Sequence, residues 1–126
     1  MKRRFHLLAA ACLAGLAIGP ARAAGDPAAG LALYQTRCAA CHSLDYNGVG
    51  PAHRGVFGRA AAQAPGFAYS EALKSARLVW NEESLDRWLA DPEKVAPGQR
   101  MGVTVPDAKE RGDLIAYLKN AATAAK

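Results

Sequence analysis

The sequence predicts a small all-α domain, and three observations support this fold class. Helix-capping residues followed by apolar positions at helical spacing recur along the 126-residue chain. No segment shows the clear period-two alternation of a half-buried strand. Gly and Pro are frequent in residues 43–69 and again between 91 and 106, which predicts two long irregular loops.

The first half of the domain contains two of the predicted helices. Asp26-Pro27 opens the first of them, with Asp as N-cap and Pro at the first helical position, and this helix precedes Cys38. Its apolar positions are Leu31, Leu33 and Tyr34. Ser70 to about Ala76 predicts a second, short helix.

The second half contains two further predicted helices. Asn81 caps one of them, with acidic residues in its first turn, and Asp91-Pro92 ends it. Its apolar face consists of Leu85, Trp88 and Leu89. Asp107 and Glu110 have capping-box spacing before the last helix. The buried stripe of that helix is Leu114, Ile115, Tyr117 and Leu118.

A domain with so little regular structure is short of apolar core. Loops of this length in a compact domain usually have a functional reason. We therefore expect a large apolar cofactor at the centre of the fold, with the loops around it.

Residues 1–23 have the pattern of a secretory signal peptide. Three basic residues directly follow Met1, and an almost wholly apolar run extends from Phe5 to Gly19. Ala21-Arg22-Ala23 then fits the small-x-small cleavage rule. The run is short for a transmembrane helix, so a retained anchor is the weaker alternative. Cleavage after Ala23 leaves a domain of residues 24–126 in the periplasm.

The predicted cleavage changes the charge of the chain. The full sequence has a formal charge of +5, and four of its 16 basic residues lie in residues 1–23 with no acidic residue beside them. The remaining chain therefore carries a charge of about +1. Because nucleic-acid binding requires a basic field that neutralises phosphates, we exclude that class of function.

The segment Cys38-Ala39-Ala40-Cys41-His42 carries the clearest chemical pattern. Thiols at positions i and i+3 lie on one side of a helical turn, so both can add to the vinyl groups of one porphyrin. The adjacent His42 then supplies a proximal ligand to the iron. This pattern predicts one covalently attached haem c.

Three other interpretations of these five residues remain open at this point. A disulfide-exchange Cys-x-x-Cys is expected within an α/β pattern, and no strands are evident. A structural zinc site requires four ligands, and His53 is the only other histidine after residue 23. Chance placement of the cysteines is the third.

Met101 is the predicted sixth ligand of the iron. It is the only methionine after the leader, and it lies in a polar loop where a core-filling methionine is less expected. A thioether is a soft ligand that suits iron, and a His/Met pair raises the reduction potential. His53 is the rival candidate, and we favour Met101.

Four further blocks of sequence resemble class I cytochromes c, specifically the mitochondrial-type branch and its bacterial relatives. These blocks are GPAHRGVFGR, QAPGFAYSEALK, DPEKVAPGQRM and RGDLIAYLKNA, in the order of the family, and the likeness covers nearly all of residues 25–122. The resemblance implies a fold in which the N- and C-terminal helices cross, with short helices and long loops wrapped around one covalently bound haem.

The resemblance also implies roles for individual residues. The carbonyl of Pro51 is similar to the one that accepts the ring N–H of the proximal histidine. Three residues match groups that hydrogen-bond a buried haem propionate, and they are Arg59, Tyr69 and Trp80. Gly30 and Tyr34 match the contact points at which the first helix crosses the last at Leu114 and Tyr117.

Several positions depart from the family pattern. Trp88 stands where a tyrosine usually hydrogen-bonds the methionine sulfur, and indole can donate only from its N–H. Gln99 replaces a threonine near a propionate, and His53 replaces a leucine beside the proximal face. Gly102-Val103 lacks the usual aromatic at the haem edge. Several docking lysines are absent, so partner preference does not transfer.

Two axial ligands leave no open position on the iron, which predicts an electron carrier and not an enzyme. We expect a monomeric periplasmic shuttle that meets the membrane only through its partners. The donor would be a quinol-oxidising complex, and the acceptor a terminal oxidase, a photosynthetic centre or a periplasmic reductase. The alternatives are a haem enzyme or ligand sensor with a labile Met101, and a permanent accessory subunit.

Overall fold

The computed structural model describes residues 24–123, and five helices form within that range. They are α1 (Pro27–Arg37), α2 (Glu71–Ser75), α3 (Glu82–Ala90), α4 (Pro92–Val95) and α5 (Ala108–Thr123). The described residues form no strand, although Ala60 and Val79 make one isolated antiparallel bridge. The all-α prediction is therefore confirmed.

The caps that the sequence indicates begin the helices. The side chain of Asp26 accepts a hydrogen bond from Ala28 N–H at the start of α1. Asn81 and Ser84 exchange side-chain and backbone hydrogen bonds of 2.9 Å in a reciprocal capping box at α3. Asp107 accepts from Glu110 N–H at 2.9 Å before α5. These bonds satisfy backbone donors that have no partner within the helix.

The N- and C-terminal helices cross at Gly30, as the resemblance implies. A Cβ atom on Gly30 would lie 2.0 Å from the carbonyl oxygen of Asp113, so only glycine allows this approach of the two backbones. The rings of Tyr34 and Tyr117 pack beside the crossing, with centroids 5.0 Å apart. Asp113 also accepts the N–H of Asp26 at 2.8 Å, which joins the start of α1 to α5.

The core lies between this helix pair, α3 and the loops. Its least exposed side chains are Leu114 and Val105, and both of them are 1% exposed. The loop before α2 is tied to the segment before α3 by backbone hydrogen bonds from Gly58 to Trp80 (2.6 Å) and from Trp80 to Arg59 (2.9 Å). This pairing brings distant parts of the chain to one side of the core.

Leu31, one of the apolar positions of α1, is 40% exposed, because the buried face of this helix is formed by Gly30 and Tyr34. One expectation about local structure was wrong. The segment after Asp91 is not wholly irregular, since Asp91 accepts from Lys94 N–H and caps the one-turn helix α4. The predicted signal peptide, residues 1–23, lies outside the described residues. Among residues 24–123, no helix has the length and apolarity that crossing a bilayer requires.

Candidate haem site

One apolar cleft brings the predicted attachment and ligand residues together. Cys38, Cys41, His42 and Met101 all line it. Apolar side chains form most of the remaining wall, and they include Val56, Leu73, Leu85, Leu89, Val105, Leu114 and Leu118. The cleft therefore combines two thiols, an imidazole and a thioether with a water-excluding lining.

The turn after α1 positions the two cysteines. Cys38 ends the helix with its N–H bonded to Tyr34 O, and its own carbonyl accepts from Cys41 N–H (3.0 Å) and His42 N–H (2.9 Å). Cys38 is half-buried, Cys41 is exposed, and the two are free of a disulfide. Burial raises the pKa of the Cys38 thiol to about 11, so the thiol stays protonated at neutral pH.

His42 is held as a neutral imidazole. Its Nδ1 lies 2.8 Å from the carbonyl oxygen of Pro51, so Nδ1 carries the proton and Nε2 keeps its lone pair. Burial lowers the pKa of His42, which the hydrogen bond to Pro51 only partly opposes. A Cβ on Gly50 would lie 2.3 Å from Cε1 of the ring, so glycine at that position leaves the space for the imidazole.

Met101 is half-buried in a loop that its neighbours brace. The side-chain oxygen of Gln99 accepts the N–H of Met101 at 2.5 Å. The amide nitrogen of Gln99 donates to Glu93 (3.3 Å), whose other carboxylate oxygen accepts from Gly98 N–H (2.8 Å). Gln99 also lines the cleft, so the propionate contact that the resemblance implies for this position stays a prediction.

Arg59 provides a buried donor without a partner. Its terminal nitrogens donate to the carbonyls of Arg54 (3.1 Å) and Ala52 (3.3 Å). Its Nε is the one buried side-chain nitrogen or oxygen within residues 24–123 that makes no hydrogen bond. A buried N–H of a guanidinium requires an acceptor, preferably an anion, so Arg59 suits a carboxylate in the cleft.

Tyr69, Trp80 and Trp88 are buried in the same wall. The hydroxyl oxygen of Tyr69 accepts from Ala64 N–H at 3.0 Å, which leaves its own proton available to donate. The indoles of Trp80 and Trp88 meet edge to face, with centroids 5.4 Å apart. These aromatic rings give the cleft a rigid apolar side.

The sequence did not indicate how His53 is used. Its ring stacks on that of His42, with centroids 3.9 Å apart and planes inclined by 18°. The Tyr34 hydroxyl lies 3.0 Å from Nδ1 of His53, within hydrogen-bond distance. Burial, with smaller effects of His42 and Arg59, lowers the pKa of His53 to about 3, so both stacked imidazoles are neutral. The one sequence signal at this position is that His53 replaces the leucine usual in the family.

The residues present fit a covalently attached haem. The thiols can form its thioether bonds, the apolar wall suits the porphyrin, and the orphan Nε of Arg59 suits a propionate. The free Nε2 of His42 can bind the iron.

The family model for cytochrome c matches residues 27–122. Cytochrome c of Euglena viridis is 43% identical over 98 residues, which are 75% of this chain and 96% of the relative. Cytochrome c2 of Rhodoblastus acidophilus is 42% identical over 99 residues, covering 75% and 92% of the two chains. Cytochrome cH from Methylobacterium extorquens has 46% sequence identity and a TM-score of 0.73, covering 76% of this chain and 99% of its own.

The chain belongs to the cytochrome c family, in which class I and c2-type proteins are its relatives. Its cofactor is one covalently attached haem c, as the five-residue motif predicted. It is a monohaem electron carrier and not an enzyme.

Proposed function

We propose that this cytochrome is an exported one-electron carrier whose iron is bound by His42 and Met101. The main observation behind this proposal is that both side chains line a single cleft together with the attachment cysteines. The bound haem supplies an iron that accepts and releases one electron. With both side chains bound, the iron would have no position left for an exogenous ligand.

The chain's own residues prepare the site for electron exchange. The Pro51 carbonyl holds the His42 proton on Nδ1, and Gln99 with Glu93 holds the Met101 backbone. The apolar wall excludes water and thereby favours the less charged ferrous site. Pre-set ligands mean that little structure has to change when the electron moves.

The cleft mouth is the proposed point of electron entry and exit. Val49 and Val103 line the cleft and are 81% and 39% exposed, so a haem held in the cleft would present an edge to solvent beside apolar side chains. The donor would be a quinol-oxidising membrane complex. The acceptor would be a terminal oxidase, a photosynthetic centre or a periplasmic reductase, met by a monomer that does not itself enter the membrane.

Replacing Met101 tests the ligand assignment. Wild-type ferric protein should show the weak methionine-to-iron charge-transfer band, and Met101→Ala should lose this band, bind cyanide at once and have a much lower midpoint potential. Val103→Ala, on the same loop, is the matched control and should keep all three properties. An unchanged ferric spectrum in Met101→Ala would refute the assignment.

Export is tested separately from ligation. A periplasmic carrier should fractionate with the periplasm, and its N-terminal sequence should begin at Ala24. Haem-containing protein retained in the membrane with residues 1–23 attached would show an anchor instead. Neither outcome affects the ligand test.

A further inference from the structure

The proximal side of the cleft contains a chain of three rings. Tyr34, at the crossing of α1 and α5, hydrogen-bonds His53, and His53 stacks on the predicted ligand His42. The first ring belongs to a helix, and the other two belong to the loop after it. This contact path therefore joins the crossing of α1 and α5 to the predicted ligand His42.

His53 is itself fixed at several points. Its backbone N–H donates to Ser43 O at 2.8 Å, and its carbonyl accepts from Val56 N–H at 2.9 Å. Its Nδ1 is within hydrogen-bond distance of the Tyr34 hydroxyl, and the Tyr34 ring is 5% exposed and packs on Tyr117. A ring held at both its backbone and its Nδ1 can serve as a rigid surface for its neighbour.

The hydrogen bond to Pro51 does not by itself determine the orientation of the His42 imidazole. It holds one atom, Nδ1, while the ring plane can still turn about the Cβ–Cγ bond. The His53 ring lies 3.9 Å away and within 18° of parallel, so such a turn would drive the two rings together. The leucine implied here by the family resemblance would offer a branched surface instead of a flat one.

We propose that His53 is a positioning residue that sets the rotation of the His42 imidazole, with Tyr34 holding His53 in place. His53 does not bind the iron and acts only through the flat face that it presents to His42. The inference rests on the proposed role of His42 as axial ligand. It assigns a use to a side chain that neither the attachment motif nor the family pattern explains.

Proton NMR of the ferric holoprotein tests this role, because the paramagnetic shifts of the four haem methyl groups depend on the orientation of the axial imidazole plane. His53→Leu should redistribute these shifts and move the midpoint potential. His53→Phe keeps a flat ring and should give shifts closer to the wild-type distribution than those of His53→Leu. Tyr34→Phe removes only the hydroxyl and should change the shifts in the same direction as His53→Leu, by a smaller amount.

Ile115→Val is the matched control, since Ile115 is a buried residue of α5 that does not line the cleft. It should lower stability and leave the methyl shifts unchanged. Wild-type shifts in His53→Leu, or identical shifts in the Leu and Phe variants, would overturn the proposal. If His53→Leu fails to retain haem, an unchanged spectrum of Tyr34→Phe overturns it.

The optical spectrum of the wild-type protein separates this test from that of the proposed function. A missing methionine band would refute Met101 as ligand. The methyl shifts would still report the orientation of His42.

Discussion

The side-chain oxygen of Gln99 accepts the backbone N–H of Met101, two residues further along the chain, at 2.5 Å. Glu93 holds the other end of the Gln99 amide and also accepts from Gly98 N–H. Since a hydrogen bond of this kind contributes about 1 kcal/mol, its loss should make opening of the Met101 loop about 5-fold more frequent. We therefore expect Gln99→Ala to bind cyanide about 5-fold faster in the ferric state, measured by stopped-flow absorbance.

Glu83→Ala is the control for this experiment. Glu83 is an exposed residue of α3 whose carboxylate lies 4.0 Å from Arg87. It takes no part in the hydrogen bonds that join Glu93, Gln99 and Met101. Its removal should leave the cyanide-binding rate unchanged. Equal rates in Gln99→Ala and wild type would mean that the loop is held by other contacts.

Two glycines should respond oppositely to the same substitution. Gly30→Ala puts a methyl group 2.0 Å from Asp113 O, so α1 and α5 must separate, and we expect a loss of about 1–3 kcal/mol in the free energy of unfolding. Gly112→Ala on α5 meets no heavy atom within 4 Å and should gain about 0.5–1 kcal/mol from lower backbone entropy in the unfolded chain. Urea unfolding of the holoproteins measures both, and comparable effects of the two changes would contradict the crossing geometry.

Asp113 should make the helix crossing sensitive to acid. The hydrogen bond from Lys109, reinforced by that from Asp26 N–H, holds the pKa of Asp113 below its usual value of 3.8. A depressed carboxyl pKa contributes stability above the unfolded-state value, and this contribution is lost as pH falls through the folded value. Lys109 has a raised pKa, so its contribution lasts up to alkaline pH and is lost as pH rises above 10.5 through the folded value.

Asp113→Asn tests this dependence. The variant should be less stable than wild type at pH 7, and the difference should shrink as the pH falls below about 4. Urea midpoints measured from pH 7 to pH 2.5 give the comparison, with Glu83→Gln on the exposed side of α3 as control. A difference that stays constant over this range would show that the charge of Asp113 does not stabilise the crossing.

Electron transfer to membrane partners should depend weakly on salt. Residues 24–126 carry a formal charge of about +1, and Arg37 at the cleft is paired with Glu110 at 2.9 Å. The exposed side chains at the mouth include Val49 and Val103. Electrostatic steering changes association rates by roughly tenfold or more between low and high salt. We therefore expect the rate constant for oxidation by membranes to change by less than this when the ionic strength is raised. A steep fall in rate with ionic strength would point to a charged docking surface instead.

The proposed apolar docking area at the mouth of the cleft can also be tested by mutation. Val49→Asp should slow the same reaction, because it places a charge within the proposed apolar docking area. The control Val79→Asp should have little effect on the rate, because Val79 is 52% exposed and does not line the cleft. Equal rates for both variants would place docking elsewhere.

The helix ends could be predicted from sequence because their signals are local. Asp26 and Asn81 form the caps that their positions indicate, and Asp91 ends α3 as expected. The same Asp91 also starts α4, and a single turn is too short to have a detectable period. Leu31 is exposed because one helix face is set by the partner helix, which the local pattern does not specify.

The composition of the site was predictable, whereas its internal contacts were not. Two thiols and an imidazole within five residues define a chemistry, and membership of the family confirms the haem. The stack of His53 on His42 joins residues 11 positions apart in an irregular loop, where no periodicity relates position to direction. The hydrogen bond from Met101 N–H to the Gln99 side chain depends on how the loop folds, and no local pattern indicates it.

Trp80 and Trp88 are the two tryptophans of the whole sequence, and they meet edge to face in the wall of the cleft. A porphyrin accepts excitation energy efficiently from indoles at such short range, so the folded holoprotein should be almost dark when excited in the ultraviolet. Any event that carries the indoles away from the cofactor restores their emission. Tryptophan fluorescence therefore reports how closely the folded chain surrounds its haem.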